Sequence, residues 1–535
     1  MQSEPTEESD PVEAVAHRAG VGVSVRHGFV LGLISGIVMV AFTISVRLAW
    51  RSVTITELAA DWFTAFLPTQ LFDWLLNTLS FYAKPTMFAS LVVVQILVGG
   101  LLGSAYVKLM ERWPVKSYLE WLRAPALAVL LWLVSMVTLA PLFGGGFLAS
   151  GVIGGPKDFL LASLAIYALY GLSIAYLFTR AMTPFTLSDG PAHPARRSFL
   201  RQMVEWTVFS VVLVFGTKFL LERGGRQMSP SGMFRQPGVL STETTPNEEF
   251  YVVSKNIIDP VVEAAEWRLE VEGMVETPFG LTYAELTEMP SREQYVTLEC
   301  ISNEIGGPLI SNALWKGVPL RHVLERGGLK AGVHDVSFEA WDGYTESITL
   351  ERAMGDEVLI AYEMNGEPLP TDHGFPARLL IPGVFGLKSV KWLTKIAPVD
   401  FNFRGYWQKR GWTDQPLVKT MSKFETPATG AAHPFGPVDL GGVAFAGDRG
   451  ISRIEVSFDG GETWQEADAV SRALSPDTWV VWTAQFTPPA RQPAKLAVRA
   501  TDGDGVTQTA TRTGTLPSGA TGHHEIRVEF TRPVA

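Results

Sequence analysis

Val296-Thr-Leu-Glu-Cys300-Ile-Ser-Asn303-Glu-Ile-Gly-Gly307 is the stretch on which the reading of this chain turns. Cys300 is the one cysteine among 535 residues. It follows a strand-like run, Tyr295 to Leu298, and precedes a Gly-Gly-Pro turn, so the pattern predicts a thiol presented at a strand end. With no second cysteine, a disulfide framework and a CxxC metal site are both excluded. Two readings fit the stretch. A free cysteine commonly serves as a small buried hydrophobe. Alternatively, a lone thiolate ligates a soft metal whose other ligands come from a cofactor.

The length predicts two or three domains. Charged residues are 18% of the chain, below the usual quarter or so, and the apolar excess gathers before residue 222. That distribution signals a membrane section. A formal net charge of -10 argues against nucleic acid as a partner, because no basic face meets phosphates.

Residues 1–27 read as a disordered cytoplasmic tail, and 28–221 as a transmembrane region. Five apolar runs there, 28–50, 86–107, 124–143, 159–180 and 199–221, are long enough to cross a bilayer. The amphipathic stretch Trp62 to Tyr82 reads as interfacial. Lys and Arg cluster in loops 108–123 and 180–201 but not in 144–158. This bias places the N-terminus inside and residues 222–535 on the extracytoplasmic face of the cell membrane. Ala195-Arg196-Arg197-Ser198-Phe199-Leu200 before the fifth run resembles a twin-arginine export signal; two loop arginines obeying the charge bias explain it equally. None of the nine histidines lies in a run, so a haem between the helices is not expected. A lone cysteine excludes a cysteine-ligated Fe–S cluster, and no flavin site is evident.

Residues 222–250, rich in Gly, Ser, Pro and Thr, read as a linker. Residues 251–423 have the texture of a mixed α+β domain. Strands are predicted at Trp267–Gly273, Val336–Ala340 and Arg378–Ile381, and helices at Leu281–Met289 and Val318–Arg326. Thr282 with Glu285 three residues later forms a capping-box pattern at the first helix. Residues 424–535 alternate in short strands separated by Asp-Gly turns, which predicts an immunoglobulin-like β-sandwich.

A second stretch carries charge: Thr371-Asp-His373-Gly-Phe-Pro-Ala-Arg378, continuing to Ser389-Val390-Lys391-Trp392. His373, Arg378 and Lys391 suit an anionic ligand such as a phosphate-bearing cofactor, or else form a solvated basic edge.

With Ala361-Tyr-Glu-Met-Asn-Gly-Glu-Pro-Leu-Pro370, the His-Gly-Phe-Pro-x-Arg block and the Val-Lys-Trp block in view, residues 250–423 resemble the molybdenum cofactor domain of the sulfite oxidase family. Residues after 424 resemble that family's dimerisation domain, which implies a homodimer. The resemblance implies a molybdenum–molybdopterin cofactor with Cys300 as its thiolate ligand. It implies cofactor contacts from Val253, Ser254, Lys255, Asn256, Asp342, His373, Arg378, Ser389, Val390 and Lys391. It places Cys300, Asn303, Lys255 and Trp412 nearest the chemistry.

The departures concern substrate. The family's arginine five residues after the cysteine is Ile305 here, a second arginine is Lys255, and a tyrosine is Trp412. An arginine from the last domain falls near Arg449. The expected function is therefore a membrane-anchored oxidoreductase performing oxygen-atom transfer on a small S- or N-containing substrate. Its electrons pass to or from an external carrier, cytochrome or quinone-linked. The competing expectation is a cofactor-free binding module on a membrane anchor, with a filled apolar pocket around Cys300.

Overall fold

The computed structural model describes residues 24–50, 53–67, 71, 83–112, 120–152, 156–182, 238–256, 259–489 and 492–531. They fall into two units, Met1–Gln227 and Met228–Ala535.

The first unit is helical. Among its described residues, Val25–Arg47, Thr86–Met110 and Pro156–Phe178 are long and apolar enough to cross a membrane. The expected run 124–143 is a shorter apolar helix, Ala126–Leu142, interrupted by a π turn at Ser135–Leu139. The expected fifth run and the arginine pair lie outside the described residues. Of the expected interfacial stretch, the described part ends the helix Ile55–Phe66, which Thr54 and Glu57 cap reciprocally. Glycines set the helix crossing. A Cβ on Gly32 would stand 2.3 Å from the Gly99 carbonyl oxygen, and one on Gly103 2.2 Å from that of Gly28. The helices Val25–Trp50 and Ala83–Arg112 thus pack backbone to backbone, as small residues permit in apolar bundles. Arg47, at the end of its helix, pairs with Glu57 at 2.9 Å.

The second unit opens with two five-stranded sheets. One runs Phe279–Thr282, Arg268–Val271, Leu393–Val399, Asp335–Ala340, Thr345–Thr349. The other runs Arg292–Glu299, Ile310–Pro319, Leu359–Met364, Glu367–Pro368, with Arg378–Leu380 also pairing on Leu359–Met364. Trp267, Leu269, Val336, Trp392 and Ile396 from the first sheet share one core with Ile360 and Leu379 from the second. Thr282 and Glu285 form the expected capping box on Tyr283–Glu288. The next helix starts at Leu320 rather than Val318, because the strand Ile310–Pro319 keeps its pairing with Leu359–Met364 through Pro319. It stops at Gly328, whose φ of 68° suits glycine.

Residues 421–531 form two further sheets. Met421–Thr426, Val438–Phe445, Val480–Phe486 and Ala469–Val470 make one; Ala432–Pro434, His524–Thr531, Ala494–Asp502, Ile451–Ser457 and Gln465–Glu466 make the other. Phe424, Leu440 and Trp482 meet Val456, Val498 and Val528 in the core between them.

The expected linker is corrected over its described part. Residues 238–250 form a strap fastened to both halves of the unit. Ser241 donates twice to Glu425, at 2.7 Å from N and from Oγ. The Glu243 carbonyl accepts from Asn312 Nδ2 at 2.7 Å and Trp479 Nε1 at 3.0 Å. Thr245 is fully buried and donates from N to the Asn312 carbonyl at 2.7 Å. Polar residues that read as solvated instead satisfy buried backbone and amide groups. Asn312→Leu should lower the thermal midpoint of the purified protein, since each polar group orphaned inside costs about 1–3 kcal/mol. An unchanged midpoint would refute the strap.

Candidate functional site

The strand Arg292–Glu299 pairs with Ile310–Pro319 from Arg292↔Gly317 to Glu299↔Ile310, and Cys300 begins the turn between them. Its N–H closes the turn on the Leu309 carbonyl at 3.0 Å. The thiol is half-buried and sits 3.0 Å from Ser302 Oγ. Asn303, expected beside the chemistry, staples the turn that carries Cys300. Its Nδ2 donates to Glu299 Oε1 at 3.0 Å and its Oδ1 accepts from Leu309 N at 3.0 Å. Burial pushes the Glu299 carboxyl up to about 7, against the Asn303 hydrogen bond and the Lys423 charge. Among the described residues its Oε2 has no hydrogen-bond partner.

Arg378 lies at the start of its strand, 5% exposed. Nη1 donates to the His373 carbonyl and Nη2 to the Ser389 carbonyl, both at 3.1 Å. Among the described residues its Nε has no partner, and the guanidinium rests on the Trp315 ring, 5.1 Å from its centroid. No carboxylate among the described residues forms an ion pair with it. Burial pulls it down to about 10, still charged at neutral pH.

His373 is buried, and burial pulls it down to about 3. Its Nε2 lies 3.1 Å from the Asn247 carbonyl, so that nitrogen carries the proton. The expectation of a cation at His373 is therefore corrected: burial holds it neutral against the opposing hydrogen bond to the strap, leaving Nδ1 as an acceptor. Lys391 Nζ donates to the Asp372 carbonyl at 2.9 Å and lies 3.8 Å from Asp259. Burial lowers its pKa, with Asp259 opposing. His373 and Arg378 are buried and Lys391 is half-buried, so the three are not a solvated edge.

Ser389 Oγ accepts from Ile381 N at 3.2 Å, and Val390 is buried beside it. Asp342 accepts from Asn256 Nδ2 at 2.7 Å and from Tyr344 N at 3.0 Å. Lys255 donates to Asn256 Oδ1 at 3.1 Å, stands 3.9 Å from Asp342, and faces the Tyr406 ring. Ser254 Oγ accepts from Asn256 N at 3.1 Å, while Val253 is exposed. Trp412 is buried on Trp407, its indole N–H without a partner among the described residues.

Electrostatic contacts join these residues. Lys391 feels Arg378 and Asp342 as well as Asp259, and His373 feels Arg378 and Lys391. Tyr251 links Cys300 to them. Burial raises its phenol, which then feels Cys300, Arg378 and Glu299. A Cβ on Gly386 would meet its hydroxyl at 2.8 Å. Sequence reading missed Tyr251 and Glu299. The pair Phe250-Tyr251 at the foot of a supposed linker was the available signal. Arg449 is tied elsewhere, to Asp502 at 3.0 Å, and Ile305 packs toward Gly522.

A buried guanidinium that no carboxylate among the described residues pairs with calls for an anion, and a half-buried thiol, the chain's single cysteine, suits a soft metal. The residues fit a phosphate-bearing molybdenum cofactor. Residues 256–407 match the family model described as oxidoreductase molybdopterin binding domain, and 425–528 that of the Mo-co oxidoreductase dimerisation domain. The chain is 34% identical over 307 residues to mitochondrial sulfite oxidase of Rattus norvegicus, covering 48% of this chain and 56% of the relative. It is 31% identical over 321 residues to a nitrate reductase (NADH) of Cichorium intybus, covering 48% and 35%. Among solved structures, the sulfane dehydrogenase SoxCD from Paracoccus pantotrophus aligns with a TM-score of 0.49 at 23% identity, over 58% of this chain and 89% of that one. The chain spans little more than half the length of its mammalian relatives.

A carboxyl held at about 7 instead of 4.5 stabilises the fold below pH 4.5, and that stability is lost as pH rises through about 7. Glu299→Gln, neutral throughout, should therefore lose less of its thermal midpoint across this window than the wild type. Parallel curves would sink the assignment.

Proposed function

The chain belongs to the sulfite oxidase family of molybdopterin-dependent oxidoreductases, and from that membership we propose a membrane-anchored enzyme of oxygen-atom transfer. Its substrate is a small S- or N-containing molecule, oxidised as sulfite is or reduced as a sulfoxide or N-oxide is. The observation that carries this is the half-buried Cys300 thiol, packed against the core that holds Tyr251 and Trp315, with Arg378 stacked on that Trp315 and no carboxylate among the described residues paired with it.

Bound here, the cofactor supplies the two-electron oxygen chemistry. The chain supplies position and charge. Cys300 is the thiolate ligand. Arg378, Lys391 and Lys255 offer cationic donors, and Asp342 orients Asn256. Ser254, Val253, Ser389 and Val390 shape the remaining wall. His373, neutral, offers an acceptor to an N–H group of the pterin, not a charge to its phosphate.

Sulfite is a dianion and favours a strongly positive pocket. Ile305 replaces one cation, Arg449 is neutralised by Asp502, and Lys255 is partly balanced by Asp342. That loss of charge favours a less anionic substrate, an S- or N-oxide, over sulfite. We read the region 28–221 as the bilayer anchor, with the N-terminus cytoplasmic, and 251–423 as the catalytic domain on the outer face. Residues 424–535 are read as an immunoglobulin-type homodimerisation domain. An external cytochrome or quinone-linked carrier exchanges the electrons. The cofactor-free alternative is disfavoured, since a buried cation facing no anion costs several kcal/mol.

Purified protein should contain molybdenum by elemental analysis, and its absence would end this reading. Cys300→Ser should fold and abolish turnover in a screen of sulfite, sulfoxides and N-oxides; wild-type rates in that variant would remove the ligand role. Arg378→Ala should lower molybdopterin content, and full occupancy would count against the pocket.

A further inference from the structure

We propose that the buried pair Glu346 and Lys388 is a positioning pair for the cofactor pocket. It fixes the turn bearing Ser389, Val390 and Lys391 against the loop bearing Trp412. The proposal rests on the molybdenum-enzyme reading above.

Lys388 Nζ lies 2.8 Å from Glu346 Oε2, with the side chains 4% and 0% exposed. The ammonium also donates to the Ser347 carbonyl at 2.9 Å and stands 3.7 Å from Asp414. Glu346 accepts from Ser347 N at 3.1 Å and from the Gln408 amide. Lys388 and Glu346 therefore join the strand Thr345–Thr349, the turn Gly386–Lys388 and the loop 405–414.

Each joined segment reaches the pocket. Lys388 is followed directly by Ser389, whose carbonyl holds Arg378. Tyr344 donates from its hydroxyl to the Leu387 carbonyl at 2.8 Å, lies 3.3 Å from Glu346 Oε1, and donates from N to Asp342. Asp342 in turn holds Asn256. The loop presses hard on the strand: a Cβ on Gly405 would stand 2.4 Å from the Thr345 carbonyl, and Tyr406 N donates to that same oxygen at 2.8 Å. Ser347 Oγ adds a bond to the Phe403 carbonyl at 2.8 Å.

Stability alone does not explain an ion pair here. Against the pair alone, two apolar residues of similar volume would hold the junction as well or better, since both charges give up their hydration. Such residues lack direction. A charge pair with four further bonds sets distance and angle between the segments. Sealed from solvent, Glu346 and Lys388 act through Ser389, Arg378, Asp342 and Trp412.

The test is the double variant Glu346→Leu/Lys388→Met in the full chain. Its fold should persist with a lowered thermal midpoint, since the Ser347 N–H and the Gln408 amide lose their acceptor. Its molybdenum and pterin content should fall several-fold, and in the loaded fraction kcat/KM should fall about 100-fold, as for a roughly 1 Å misplacement. The probe is sulfite or dimethyl sulfoxide, whichever the wild type turns over. A double variant that loads cofactor fully and keeps KM and kcat overturns the proposal. Lys388→Arg covers the case in which the double variant fails to fold. It keeps the charge but lengthens the arm, so cofactor content should drop with the midpoint held; full loading with wild-type kinetics again overturns it. A wild type without molybdenum would instead sink the functional reading, and this proposal with it.

Discussion

A guanidinium sealed inside protein is costly unless something answers its charge. Arg378 is held by two peptide carbonyls and by the face of Trp315, yet no carboxylate among the described residues pairs with it. Carbonyl oxygens orient the fork without neutralising it. Much of the domain's construction follows. The carbonyls come from His373 and Ser389, so the segments on either side of the strand Arg378–Leu380 are both anchored on this one side chain. The strap fixes His373 from the other side through Asn247. In the function proposed above, an anionic cofactor would complete the arrangement, with Cys300 as its ligand at the opposite sheet edge.

Sequence period and punctuation revealed much of this. Alternation placed the strands around Arg268, Val336 and Arg378 to within a residue or two. Thr282 and Glu285 marked one helix start, and Gly328 one helix end, because capping is local chemistry. What failed was non-local. Val318 resembled the first residue of a helix, but its pairing with Ile360 keeps it in a strand. His373 resembled a cation, but burial makes it neutral. Residues 238–250 resembled a tether, since nothing local told that Asn312 and Trp479 would bond to Glu243. The residues around the thiol were legible chiefly through resemblance; Tyr251 became visible only once Gly386 and Arg378 were seen beside it.

In the helical unit the governing feature is contact between backbones. Gly28, Gly32 and Gly36 face Gly99 and Gly103, leaving no room for a side chain. Dispersion across so close an approach can hold helices together where no hydrophobic gain exists between apolar surfaces. Tyr170 reinforces it by donating to the Gly99 carbonyl at 2.8 Å.

The strap also bears on how the catalytic part can be isolated for separate study. Its hydroxyls and amides fill places beside the strands Ile310–Pro319 and Leu359–Met364 of the first domain and in the last one, and Asn247 sets the tautomer of His373. A soluble fragment cut at Tyr251, the first residue whose texture reads as globular, would leave Asn312, Trp479 and His373 facing water-filled gaps. Cloning should start upstream of Gly238.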